Sequence, residues 1–335
     1  MVSKARDTLT QELRKAGLSK SAIEAAWPTW WTEEADESPS GRAELRLALC
    51  RRLGLSPKAL LGERVEFYWD DSARFKHLKV HDAEEQAAIA SFGIALGRDL
   101  LIATTEPASH ITWQNSDAES LRASILKRRR FVDLASIIGA CWSFGIPVIH
   151  LAVVPLEAKH MHAMVVKHRE RFAILLARNI PYPAMAAFTL AHELGHILLG
   201  HVEDAVALVD LESSTDDPDG DAQEQAADAF ALTLLTGSTD PVIETDRKDF
   251  NAPSLADAAM RASAEYQVEP GTIALSLAHR DGSWARSMSA LKFIYGDIPP
   301  VTGEINRLAH IMLNWDALVD DAAVYIQNVM TGSND

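Results

Sequence analysis

The sequence is poor in cysteine, in basic charge and in uninterrupted apolar stretches, and each shortage removes a class of protein. Only Cys50 and Cys141 occur in 335 residues. They stand far apart in apolar helical surroundings, which argues against a disulfide and suits two buried free thiols in a reducing compartment. Lys and Arg number 32 against 47 Asp and Glu, a formal net charge of −15. Sequence-independent binding to nucleic acid or to anionic membranes needs a basic surface, so neither is expected. Met1 to Gly17 is charged throughout and lacks the apolar stretch of a signal peptide. The longest apolar run, Ile137 to Pro155, is broken by Gly145 and Pro147 and carries His150. It reads as helix, turn and buried strand, not as a membrane span. A cytoplasmic protein without membrane contact is the expectation, long enough for a sizeable core and two or three units.

What the chain does have is Leu190-Ala191-His192-Glu193-Leu194-Gly195-His196-Ile197-Leu198-Leu199. Residues four apart on a helix share a face, so His192 and His196 can aim ring nitrogens at one metal ion. Glu193 stands beside them, where it can take a proton from water. Leu190, Leu194, Ile197 and Leu198 give the helix a buried side, and Gly200 supplies a stop.

A catalytic metal needs a third protein ligand and an open position. His201, Glu203, Asp204, Asp210 and Glu212 follow closely, but the metzincin spacing fails, since Leu199 and Val202 occupy its glycine and histidine positions. Glu224 is the better candidate. It opens Glu224-Gln225-Ala226-Ala227-Asp228-Ala229-Phe230-Ala231-Leu232, a run of strong helix formers. Glu224 and Asp228 share a face, so Glu224 can bind metal while Asp228 hydrogen-bonds the far nitrogen of a ligating histidine. Asp217, Asp219 and Asp221 do not make an EF-hand loop, because its glycine and closing glutamate are missing.

The rest of the chain frames this motif. Residues 1–65 read as short helices with tight turns, in the manner of a helix-turn-helix module, and Arg51-Arg52-Leu53-Gly54-Leu55-Ser56-Pro57 resembles the later helices of phage-repressor-type domains. Residues 1–70, however, hold eleven basic and eleven acidic side chains, so charge does not favour DNA binding. Residues 66–130 form a connecting part, with an amphipathic helix over 84–96 and a helix over 118–130 ending in Lys127-Arg128-Arg129-Arg130. From Phe131 a helix, three strands (147–154, 163–167 and 171–177) and the motif helix succeed one another, in a unit spanning 131–240. Residues 241–335 are helical, with a helix-turn-helix-like pair over 254–278 and a last amphipathic helix over 306–330 whose Leu308, Ile311, Met312, Trp315, Leu318 and Val319 face inward.

His192-Glu193-Leu194-Gly195-His196 followed by Glu224, Ala227, Asp228, Phe230 and Ala231 resembles the ImmA/IrrE family of zinc metallopeptidases, over about Phe131 to Thr236. Asp228 stands where that family usually carries asparagine. The resemblance implies an α+β fold: a zincin-like peptidase domain, a small β-sheet over the His-Glu-x-x-His helix, flanked by helical domains. It implies Zn2+ held by His192, His196 and Glu224, with Glu193 as general base. It also implies an intracellular protease that cleaves a transcriptional repressor in a stress, mobile-element or DNA-damage response. Tyr182, His162 and His201 are the candidates for stabilising the oxyanion. The competing class is a DNA- or repressor-binding regulator whose zinc site is structural or vestigial, which a fourth protein ligand would favour.

Overall fold

Polar caps written into the sequence set where many of the helices begin. In the computed structural model, which describes residues 4–56, 58, 65–69, 73–76, 83–106, 116–157, 161–203, 205–211, 222–242 and 251–332, four helices open the chain. They are α1 (Lys4–Lys15), α2 (Lys20–Ala26), α3 (Glu33–Glu37) and α4 (Pro39–Leu53). The side chains of Ser19, Thr32 and Ser38 accept first-turn backbone N–H groups at the starts of α2, α3 and α4. Strand β1 (Ala73–Lys76) and helix α5 (Ala83–Ile102) follow. Helices α6 (Ala118–Leu126) and α7 (Leu134–Ser143) begin on reciprocal caps at Asp117 and Asp133. Next come β2 (Val148–His150), β3 (Met161–His168), β4 (Arg171–Leu176), α8 (Pro183–Leu198), β5 (Ala207–Leu211) and α9 (Ala222–Thr236). The chain ends with α10 (Ala252–Tyr266), α11 (Pro270–Asp281), α12 (Trp284–Tyr295), α13 (Val301–Met312), a 3-10 turn (Trp315–Ala317) and α14 (Asp320–Thr331).

The architecture is α+β, and among the described residues there is one five-stranded sheet, in the order β1-β5-β3-β4-β2. Strands β3 and β4 form an antiparallel hairpin and β5 runs antiparallel to β3, while β1 and β2 lie parallel to their neighbours. Gly93 and Gly97 of α5 face Met164 and Val166 on one side of the sheet. The alternate residues Ala163, Val165 and Ile174 are just as buried, and α8 packs against β3 and β4. The expected order of helix, three strands and motif helix is present, but the sheet is wider. Strand β5, just after Glu203 and including Asp210, lies in a stretch rich in acids. Its five residues are too few to show a period beside so many acids, and β1, with four, shows even less.

Three helical expectations are corrected. Helix α5 is not amphipathic: it is buried on almost every side from Ala87 to Leu101, because α4, α14 and the sheet all pack on it. The single last helix is two. The backbone is extended at Leu313 and again at Val319, and Asn314 donates its N–H to Ala103 of the α5 end. Ile311, Met312 and Val319 are therefore exposed (64%, 48% and 73%), not inward. Helix α6 also stops at Leu126, so Lys127 to Arg130 follow it as an exposed turn. Residues 59–64, the end of the expected helical part over 1–65, and the residues Asp204, Glu212, Asp217, Asp219 and Asp221 fall outside the described residues.

One apolar core runs from Leu13 in α1 to Met330 in α14, and α10 to α12 enclose a smaller one around Leu255, Ala274 and Leu291. The β2 edge is closed by a side chain. Asn306 of α13 accepts the His150 N–H at 2.7 Å and donates to the His150 carbonyl at 2.8 Å, as a neighbouring strand would. Arg52 faces inward at 5% exposure. It donates to the Ala26 and Asp321 carbonyls and pairs with the Asp321 carboxylate. The arginine that lent residues 1–65 their repressor-like ending is thus committed to the core.

Candidate metal centre

Helix α8 starts at Pro183, whose ring presets the helical φ, and it is apolar on the side that meets the sheet. From His192 to Ile197 every side chain is buried, including His192, Glu193 and His196. A polar trio in that position is costly unless its members satisfy one another or a ligand.

Helix α9 supplies the partner. Its buried stripe is Glu224, Ala227, Phe230, Ala231, Leu234, an i, i+3, i+4 pattern that turns Glu224 towards α8. The helices meet closely at Gly195, where an added Cβ would lie 3.1 Å from the Phe230 ring. That contact sets how near Glu224 comes to the histidines. His192 Nε2 and His196 Nε2 are 3.0 Å apart. Glu224 Oε2 lies 3.3 Å from the first and Glu224 Oε1 3.4 Å from the second. Among the described residues no other group of His, Cys, Asp or Glu converges in this way.

The donor set fits a metal ion. A tetrahedral ion with bonds of about 2.0–2.2 Å holds its donors roughly 3.3–3.5 Å apart. The triangle has edges of 3.0, 3.3 and 3.4 Å and pairs two imidazole nitrogens with a carboxylate. Burial works against a charge on His192. The Asp228 and Glu224 carboxylates bonded to it, with Glu193 nearby, outweigh burial and raise the ring to about 10.

Each histidine is also held from behind. Asp228 Oδ1 lies 2.8 Å from His192 Nδ1, its own side chain half exposed. His201 Nδ1 lies 2.8 Å from His196 Nδ1. The other two oxyanion candidates sit elsewhere. Tyr182 precedes α8 by ten residues from His192, roughly 15 Å along the axis, and stacks on Tyr295 at 5.8 Å. His162 on β3 faces Asp210, with Nδ1 3.7 Å from Oδ2.

Residues 143–276 match the peptidase M78 family, described as an IrrE N-terminal-like domain. This part of the chain is thus similar to metallopeptidases of the ImmA/IrrE type. No curated protein matches the chain. The matched segment runs from the end of α7 into α11, so it holds the donor triangle, β2 to β5 and part of the helical group behind α8. Helix α5 and strand β1 complete its sheet from outside the matched segment.

Two supports of the centre went unread in the sequence. Arg122 of α6 donates to the Leu234 and Leu235 carbonyls, capping α9, and to the Gln267 carbonyl after α10. Arg74 of β1 bonds Gln223, next to Glu224, and more weakly the His201 carbonyl. Neither arginine belongs to a motif. Only the fold reveals its target.

Proposed function

We propose that the chain is a zinc-dependent endopeptidase that cuts a regulatory protein, a transcriptional repressor in the first instance, inside the cytoplasm. The reading rests above all on the donor triangle, which among the described residues has three members and no fourth. The nearest further candidates, Asp228 and His201, lie behind the histidines on their Nδ1 sides. A structural zinc site would need one of them in front. The regulator with a structural site is accordingly the weaker reading.

His192, His196 and Glu224 would hold the ion. Bound there, it supplies Lewis acidity, which polarises a carbonyl and lowers the pKa of water from about 16 to about 7. Glu193, only 1% exposed and next to His192 in the chain, takes the proton of the attacking water and passes it to the leaving amine. A substrate that adds to the sheet beside the site would do so as an extended segment, so a loop or linker is the expected target. Two buried free thiols suit a reducing compartment, and the acidic balance favours a protein target over DNA.

The test is metal analysis of wild type and Glu193→Gln, each co-expressed with a candidate repressor. Zinc retained in both, with cleavage lost in the variant by about a thousandfold or more, supports the reading. Cleavage that survives Glu193→Gln overturns it.

A further inference from the structure

The end of α8 has a geometry with a function. After Leu199, Gly200 takes φ +76°. Its N–H bonds the Ile197 carbonyl at 3.1 Å, and the His201 N–H bonds the His196 carbonyl at 2.9 Å. This double closure terminates many helices at a left-handed glycine. Here it also folds the chain back so that the fifth residue after His196 stands over His196. The two rings lie 5.0 Å apart between centroids, and their Nδ1 atoms 2.8 Å apart. Arg74 reaches the His201 carbonyl from β1, which steadies the turn from the sheet side.

We propose that His201 is the positioning residue of His196. The inference rests on the metal reading given above. His196 points Nε2 into the donor triangle, so with an ion bound at Nε2 its proton sits on Nδ1. His196 Nδ1–H then donates to His201 Nδ1, which accepts as a neutral imidazole. The bond fixes the tautomer of His196 and the rotation of its ring. The two ligating histidines are therefore backed differently, His192 by a carboxylate and His196 by a neutral ring. His201 touches neither water nor substrate in this role, and it is not a ligand.

The experiment measures zinc affinity of the full chain by chelator competition, with His201→Ala, His201→Phe and His201→Asn beside wild type. Losing the outer partner of a metal-bound histidine weakens affinity about 10- to 100-fold. His201→Ala and His201→Phe are expected to show that loss. His201→Asn, whose amide oxygen can accept from Nδ1–H, is expected to recover most of it. Cobalt-substituted wild type and His201→Phe should differ in their visible absorption, since the His196 ring is released. Urea unfolding of the metal-free forms separates a packing role, which would lower stability in Ala and Asn alike without separating their affinities. Equal affinity of wild type and His201→Phe, or no advantage of Asn over Ala, overturns the assignment while leaving the metal centre standing. Failure of wild type to bind zinc overturns both.

Discussion

At the residue scale the centre is a matter of which nitrogen faces which neighbour. The spacing of His192 and His196, and of Glu224 and Asp228, is legible in one dimension because a helix converts four residues into one face. Those four side chains do meet in the structure. The place of His201 is not legible that way. It depends on φ at Gly200, and a glycine after a helix announces a stop without saying where the next side chain lands. Asp228 can be tested on the same footing. Its carboxylate holds His192 Nδ1 at 2.8 Å. Asp228→Ala should weaken zinc binding about 10- to 100-fold in chelator competition, whereas Asp228→Asn keeps an acceptor and should stay within about tenfold of wild type. If the alanine variant binds zinc as wild type does, Asp228 has no hold on the centre.

At the element scale the question is what keeps α8 and α9 in register. Helix α8 is anchored at its start by α12. Tyr295 donates to Glu269 at 2.7 Å, accepts the Ala184 N–H at 3.2 Å and stacks on Tyr182. Helix α9 is anchored at its end by Arg122, which satisfies the Leu234 and Leu235 carbonyls. Long periodic elements such as α8 and α9 could be placed from sequence, as could the β3–β4 hairpin. The short edge strand β1 and the break between α13 and α14 could not, because tertiary contacts decide them. Arg122→Met should therefore lower the unfolding free energy by about 2–4 kcal/mol, since the buried Leu234 and Leu235 carbonyls and the partly buried Gln267 carbonyl lose a charged donor. Zinc affinity of the protein that remains folded should change by less than about threefold, because no ligand contact is touched. A large loss of affinity without a loss of stability would show that Arg122 acts on the site itself.

At the scale of the whole molecule, the two ends of the chain are tied beneath the sheet. Arg52 of α4 pairs with Asp321 at the start of α14, and Tyr325 of α14 donates to the Arg52 carbonyl at 2.9 Å. Asp99 of α5 joins this knot at a cost. Burial pushes its carboxyl up to about 6, against the pull of Arg98, Arg52 and Arg51. The ordinary value, expected when the chain unfolds, is 3.8. A carboxyl raised on folding holds its proton more tightly in the folded state. It costs nothing below about pH 3.8, the penalty grows as pH rises through about 6, and it is complete above that. The penalty corresponds to about 1–3 kcal/mol. Asp99→Asn removes it, so urea unfolding should give a gain of that size at pH 7.5. The gain should shrink as pH falls below about 6 and vanish below about pH 3.8, where the carboxyl is neutral in the unfolded chain as well as in the folded protein. A difference between variant and wild type that stays constant across that range would mean that Asp99 is held charged by its arginines, and that the knot stabilises the join between the two ends at neutral pH instead of straining it.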